Sequence, residues 1–422
     1  MKKTILSTIL LVGFITASTS AQSFQQWGKL DMGKYTVGYK DTVLFKTDEQ
    51  FSFYNYHGSK PFFVCIWYPA KDDATKPFMK YENYCDFKRE DNYGQICDSV
   101  VDMFHKITIN DGVCINIKRG APEVKHDDIH DRLYHDIMKT TVMAKRNLPA
   151  IAQKFPCIFY HHGNRSTPYD NNVFCEYMAS RGFVVVSACY ELPQAVGAIP
   201  LTPDIRNQQS INDFSFMLKT AKTMPNVDAA KMVAAGHSWG AQTALRFDNI
   251  EVKKSFKEII SFHTTLEDKN MAVAKEYWPT FDYLFENKCK LSTTPSVLFA
   301  PYNLADEWDT DTLTGKETFI KTDTLYPKFL PFRKNTTTPY TFITVLHHVL
   351  HDGFITLGNL RLPYAEQYKL DDKKEIIDQQ MYYEQIVLYA EQIITEALAD
   401  HARSSKTASM INFKIESINL TK

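Results

Sequence analysis

The sequence predicts an α/β fold: a mostly parallel central sheet, helices on both faces, and an insertion near residues 71–150. Three observations predict it. Continuous apolar runs at 155–160 and 183–188 alternate with helix-compatible stretches, as strands buried on both faces do. A G-x-S-x-G pentapeptide, Gly236-His237-Ser238-Trp239-Gly240, joins the apolar run 232–235 to the helix-compatible run 241–245. A turn containing glycine, His161-His162-Gly163, follows the first buried run directly.

In chain order, residues 1–21 read as a secretory signal. Lys2 and Lys3 open it, 5–15 is its apolar core, and Thr19-Ser20-Ala21 precede a cleavage that leaves Gln22 first. The apolar core is short for a membrane span and no later segment is long enough. The expectation is an exported chain, periplasmic or extracellular, with no span in its mature part. Residues 22–402 are expected to form one domain and 403–422 a C-terminal tail. The chain has 422 residues, with 48 Lys+Arg against 49 Asp+Glu, a net charge of -1. That balance gives no sign of a nucleic-acid or strongly charged partner.

Antiparallel strands are expected over 34–53, and a strand ended by proline over 61–69. The stretch 70–150 is polar and reads as an irregular insertion beside or over the sheet. After the strand at 155–160 come a helix over 171–181 stopped by Gly182, a strand over 183–188 and a helix over 207–222. Further short apolar runs lie at 258–262, 295–300 and 340–346. An amphipathic helix spans 373–398, with Ile377, Met381, Ile386, Ala390, Ile393 and Ala397 at helical spacing. Of the eight cysteines, Cys157 and Cys189 fall in apolar runs and read as buried thiols. Cys85, Cys97 and Cys114 lie in the insertion, where an oxidising compartment would allow a pair.

In sheets of this kind the site lies at the carboxyl ends of the strands. A serine at a sharp strand-to-helix turn needs small residues two before and two after, because strand and helix nearly touch there. Its hydroxyl is then exposed at a helix N-terminus, where the N–H of Trp239 can hold an oxyanion. Gly163 lets the N–H of Asn164 supply a second donor. A histidine after the last sheet strand could take the serine proton, and His347, His348 and His351 all follow the run 340–346. His237 reads as a residue that packs or supports the site from behind, rather than as the base. His126 and His130 stand one helical turn apart, with His135 beyond, and read as a solvated face; no metal or cofactor is expected.

The order H-G-x, then Ser180-Arg181-Gly182-Phe183-Val184-Val185, then G-H-S-x-G resembles the α/β-hydrolase superfamily. Trp67-Tyr68-Pro69-Ala70 and Val227-Asp228 resemble its bacterial branch related to platelet-activating-factor acetylhydrolases and dienelactone hydrolases. The likeness covers roughly 60–70 and 155–355. It implies a Ser-His-acid triad in that chain order, with the histidine in an H-x-x-apolar-x-D pattern. His347 fits this through Leu350 and Asp352, with His348 and His351 as alternatives. In the acetylhydrolase branch the acid follows the strand after the nucleophile helix. Here His263-Thr264-Thr265 stands there, and Glu267 and Asp268 come late. The wider superfamily places the acid one strand later, at Asp306, expected in a loop. The reading is therefore a secreted serine hydrolase cleaving a carboxylic ester. A peptidase of the same fold and a non-catalytic exported binding protein are its competitors.

Overall fold

A computed structural model describes residues 24–53, 56–87, 94–114, 128–190, 192, 203–246, 255–264, 294–301, 306–310, 317–321, 340–345, 349, 351–370, 373–399 and 413–418. Residues 1–21, read as a secretory signal, lie outside them. The strands are β1 (Thr36–Phe53), β2 (Tyr56–Ala70), β3 (Lys145–Arg146), β4 (Phe155–His161), β5 (Val184–Ala188), β6 (Val227–His237), β7 (Ile259–Phe262), β8 (Ser296–Pro301), β9 (Asp306–Thr310), β10 (Glu317–Lys321), β11 (Tyr340–Val345) and β12 (Phe413–Ile418). The helices are α1 (Glu82–Cys85), α2 (Gly94–Ile107), α3 (Asp128–Lys139), α4 (Asn172–Ser180), α5 (Pro203–Thr223), α6 (Trp239–Arg246), α7 (Ala365–Tyr368) and α8 (Lys373–Leu398).

Among the described residues the main sheet runs β12-β11-β8-β7-β6-β4-β5-β2-β1-β3. Its centre, from β11 to β5, is parallel, while β2 and β12 pair antiparallel on either side. From β4 the chain moves to β5 on one side; from β6 it moves to β7 on the other. The adjacent ends of β4 and β6 therefore flank a crevice, the usual place for a site in an open α/β sheet. The run read as separate strands over 34–53 is one long strand, β1, paired along its length with β2. Two further expectations are corrected. The tail expected after 402 contributes β12, which covers the edge of β11. Asp306 does not stand in a loop but opens β9, which pairs with β10 in a separate two-stranded sheet.

Period-2 alternation splits the strand residues between two cores. Cys157, Phe159, Val184, Val186, Met232 and Ala234 pack on the α5 and α6 side. Ile158, Tyr160, Val185, Val233, Ala235 and Phe262 pack on the other side, with α4 and α8. All nine residues of α4 are buried, because the insertion covers its outer surface. The insertion is not irregular. It carries α1, α2 and α3, and its apolar side chains belong to the same core as the sheet. Tyr84 stacks on Tyr169 at 5.5 Å between ring centroids, and Phe104 meets Tyr169 edge-on at 5.5 Å. Composition made the segment look irregular because its apolar content is concentrated in such aromatic anchors, each burying a large area.

One buried carboxylate joins these parts. Glu176, on α4, accepts hydrogen bonds from Trp27 Nε1 at 2.8 Å, from the main-chain N–H of Met143 at 3.0 Å and from the hydroxyl of Tyr84. Burial pushes its pKa up, and these donors pull against that rise. The N-terminal segment, the insertion and α4 thus share one acceptor. Replacing Glu176 by Ala strands several buried donors and should lower unfolding stability by about 3–5 kcal/mol, with Glu176→Gln, which keeps one acceptor, costing less. Urea denaturation checks this; equal stability of Glu176→Ala and wild type would refute the joint.

Candidate active site

β6 ends at His237, and α6 begins at Trp239, leaving Ser238 as the single residue of the turn. Its φ is 50°, in the left-handed region that costs a residue with a Cβ roughly 1 kcal/mol or more. Two main-chain bonds hold it there. Its N–H donates to the carbonyl of His263 at 3.1 Å, and its carbonyl accepts from Gln242 N–H at 3.0 Å in the first turn of α6. The flanking glycines are required by contact. A Cβ at Gly236 would lie 2.7 Å from the nitrogen of Ala241, and one at Gly240 would lie 2.1 Å from the carbonyl oxygen of His161. The indole of Trp239 is buried and donates to Ser210 Oγ at 3.0 Å, which fixes that residue at the helix start.

The turn after β4 is set by its own histidines. His162 Nε2 accepts the N–H of Tyr190 at 3.0 Å, so its Nδ1 carries the proton and donates to the carbonyl of Gly163 at 2.7 Å. His161 Nδ1 donates likewise to the carbonyl of His162 at 2.8 Å, and its ring stacks on Tyr190. In a trans peptide the N–H points opposite to the C=O. Gly163 N–H is thereby turned toward Asp170 Oδ2, 3.2 Å away, and the Asn164 N–H is turned away from His162. A Cβ on Gly163 would meet His237 Nδ1 at 2.9 Å and Ser238 Cβ at 3.6 Å, so this turn lies directly against the serine. Asn164 itself is exposed.

A second group of histidines gathers on the other side of the elbow. His351 opens the short helix His351–Phe354 beyond β11. His237 Nε2–H donates to the carbonyl of His351 at 3.1 Å, and the two rings are 4.5 Å apart. Nδ1 of His351 is 2.9 Å from Nδ1 of His263. His263 is buried at the end of β7 and has φ 56°. Among the described residues, His237, His351 and Asp352 alone bring three metal-capable atoms within 4.8 Å of one another. The His237 ring donates to the carbonyl of His351, and the His351 ring faces that of His263.

Of the expected site residues, Ser238, Trp239, Asn164 and His351 are thus brought to one place. His347, His348, Glu267 and Asp268 lie outside the described residues, as does His126. Asp306 is described only through its strand pairing. His237 is buried beside the serine and hydrogen-bonds the carbonyl of His351. Two residues escaped the sequence reading. Asp170 carries no motif. His263 directly follows an apolar strand, at the carboxyl end of the sheet where site residues collect, and that position was the available signal.

No protein-family model matches the chain, and no curated protein matches it. Among solved structures, a ferulic acid esterase from Streptomyces cinnamoneus is similar with a TM-score of 0.50 and 12% identity, over 92% of this chain and 97% of that one. An acylaminoacyl peptidase from Pyrococcus horikoshii has a TM-score of 0.25 and 18% identity, over 36% of this chain and 28% of that one. No helix among the described residues is long and apolar enough to cross a membrane. The sheet order, the elbow and the full-length likeness to the first of these show the α/β-hydrolase fold.

Asp170 gives this fold a pH signature. It is fully buried, holding Tyr160 Oη–H at 2.7 Å as well as Gly163 N–H. Burial raises its pKa to about 7, with Asp352 adding to the rise. In the unfolded chain it would titrate near 3.9. Between about pH 4 and pH 7 the folded protein keeps a proton that the unfolded chain has lost. Stability therefore falls as pH rises through that window and levels off above it. Asp170→Asn should remove this component, flattening urea midpoints measured from pH 4 to 8. An unchanged slope would refute the assignment.

Proposed function

We propose that this protein is a serine hydrolase that cleaves a carboxylic ester through an acyl-enzyme, with Ser238 as nucleophile and His351 as general base. The observation that carries the reading is the φ of 50° at Ser238, held between the end of β6 and the start of α6 with the Gly163 turn against it. Such strain is retained where a hydroxyl must be presented. What supports His351 as the base is its contact with His237, the residue before the serine, and with His263 at the end of β7. The motif likeness to the acetylhydrolase and dienelactone hydrolase branch supports an ester as substrate. The signal-like residues 1–21 support export.

The chemistry follows from this arrangement. Ser238 Oγ attacks the carbonyl carbon while its proton passes to Nε2 of His351. The negative oxygen is held by the N–H groups of Trp239 and Asn164. The bond to the alcohol oxygen then breaks, and the leaving alkoxide takes the proton from the imidazolium. Water attacks the acyl-enzyme, giving its proton to His351. Collapse returns that proton to Ser238 and frees the carboxylic acid. Throughout, the base needs its proton on Nδ1, and so needs an acceptor facing that nitrogen.

Ser238→Ala should stay folded, lose labelling by a fluorophosphonate probe and hydrolyse p-nitrophenyl acetate about 10⁴–10⁶ times more slowly. Near-normal turnover in that variant sinks the reading. His351→Ala should match this loss, because nucleophile and base act as a unit. His347→Ala and His348→Ala should each lose far less. A crippled His347→Ala beside an active His351→Ala would move the role of base to His347.

A further inference from the structure

We infer that His263, rather than a carboxylate, is the residue that orients the general base: Nδ1 of His351 donates its proton to Nδ1 of His263 across 2.9 Å. The inference rests on the reading of Ser238 and His351 as nucleophile and base.

Two ring nitrogens at that separation share one proton, so one donates and the other accepts. Were His263 the donor, the proton of neutral His351 would sit on Nε2, and His351 could not accept from the serine. With His351 as donor, its Nε2 keeps the lone pair that attack requires, and His263 carries its own proton on Nε2. The backbone supports this role. His263 directly follows β7, the neighbour of the nucleophile strand, and accepts the Ser238 N–H through its own carbonyl at 3.1 Å. One residue thus fixes the serine through its main chain and faces the base through its ring. Its left-handed φ of 56° is a second strained non-glycine conformation at the same site. The ring packs edge-on to His351 at 4.7 Å and against Phe354 at 5.2 Å, which restricts its rotation. A neutral imidazole stabilises an imidazolium less than a carboxylate does, so it serves mainly to fix tautomer and orientation. His263 acts through His351 and is a positioning residue.

The test uses the full chain, with p-nitrophenyl acetate kinetics, fluorophosphonate labelling and thermal melting. His263→Ala should lower kcat about 10²–10⁴-fold with KM within about threefold. His263→Asp restores an acceptor and should recover kcat to within about tenfold of wild type, which a residue that only fills space would not do. If His263→Ala does not fold, the comparison is made between His263→Asn, whose amide oxygen can accept, and His263→Leu, which cannot. Asp306→Asn should change kcat only slightly. A folded His263→Ala or His263→Leu with near wild-type kcat overturns the inference, as does a crippling Asp306→Asn that leaves His263 variants active. Labelling of Ser238 with kcat indifferent to His263 defeats this assignment alone. A wild-type chain that neither labels nor hydrolyses defeats the enzyme reading and this assignment together.

Discussion

The organisation of the molecule depends on one close approach: the first turn of α6 lies against the ends of β4 and β6. At Gly240 there is room for a hydrogen and nothing larger, since the carbonyl oxygens of His161 and His162 occupy the space a methyl would need. This contact forces Ser238 out of ordinary backbone geometry. It also brings the turn after β4 alongside the serine, and it sets the start of a helix at the mouth of the crevice. Strain of this kind persists only when the surroundings over-determine it. Here they do so through the β7 end on one side and the His162 and Asp170 bonds on the other.

Rigidity around the site comes from polar groups placed inside the core. Asp170 fastens the turn after β4 through its side chain and, through its main-chain carbonyl, accepts the N–H of Leu357 at 2.8 Å. The neighbouring Asn171 accepts from Thr356 N–H and from Tyr383 Oη–H. The loop bearing His351 and the turn bearing Asn164 are thus hung from two consecutive residues. Elsewhere Lys60, on β2, meets both oxygens of Asp213 on α5 at 2.8 Å, with both side chains buried. Such pairs are costly to break because either partner alone would be an uncompensated buried charge.

Much of this was legible in the sequence. Strands β4 and β5, helix α8 and the elbow could be read because their apolar runs are continuous or strictly periodic, and because the pentapeptide reports a backbone geometry directly. What was not legible has physical reasons. The insertion hid its helices because residues such as Tyr84 find their partners far along the chain, here Glu176 on α4. β12 went unread because its alternation, Phe413-Lys414-Ile415-Glu416, is short and broken by Ser417. His263 was visible as a departure from the expected acid, but its partner could not be known. The meeting with His351 joins residues 88 positions apart.

β12 has a consequence for the molecule's associations. It is formed by residues 413–418, and among the described residues it is the strand paired along the outer side of β11. Proteolytic trimming of those few residues would not touch the crevice. It would bare a row of unpaired main-chain donors and acceptors along Tyr340–Val345, a ready template for another chain. β12 thus shields that side of β11 from pairing with other copies, and its loss would first be felt as stickiness between copies rather than as a damaged site.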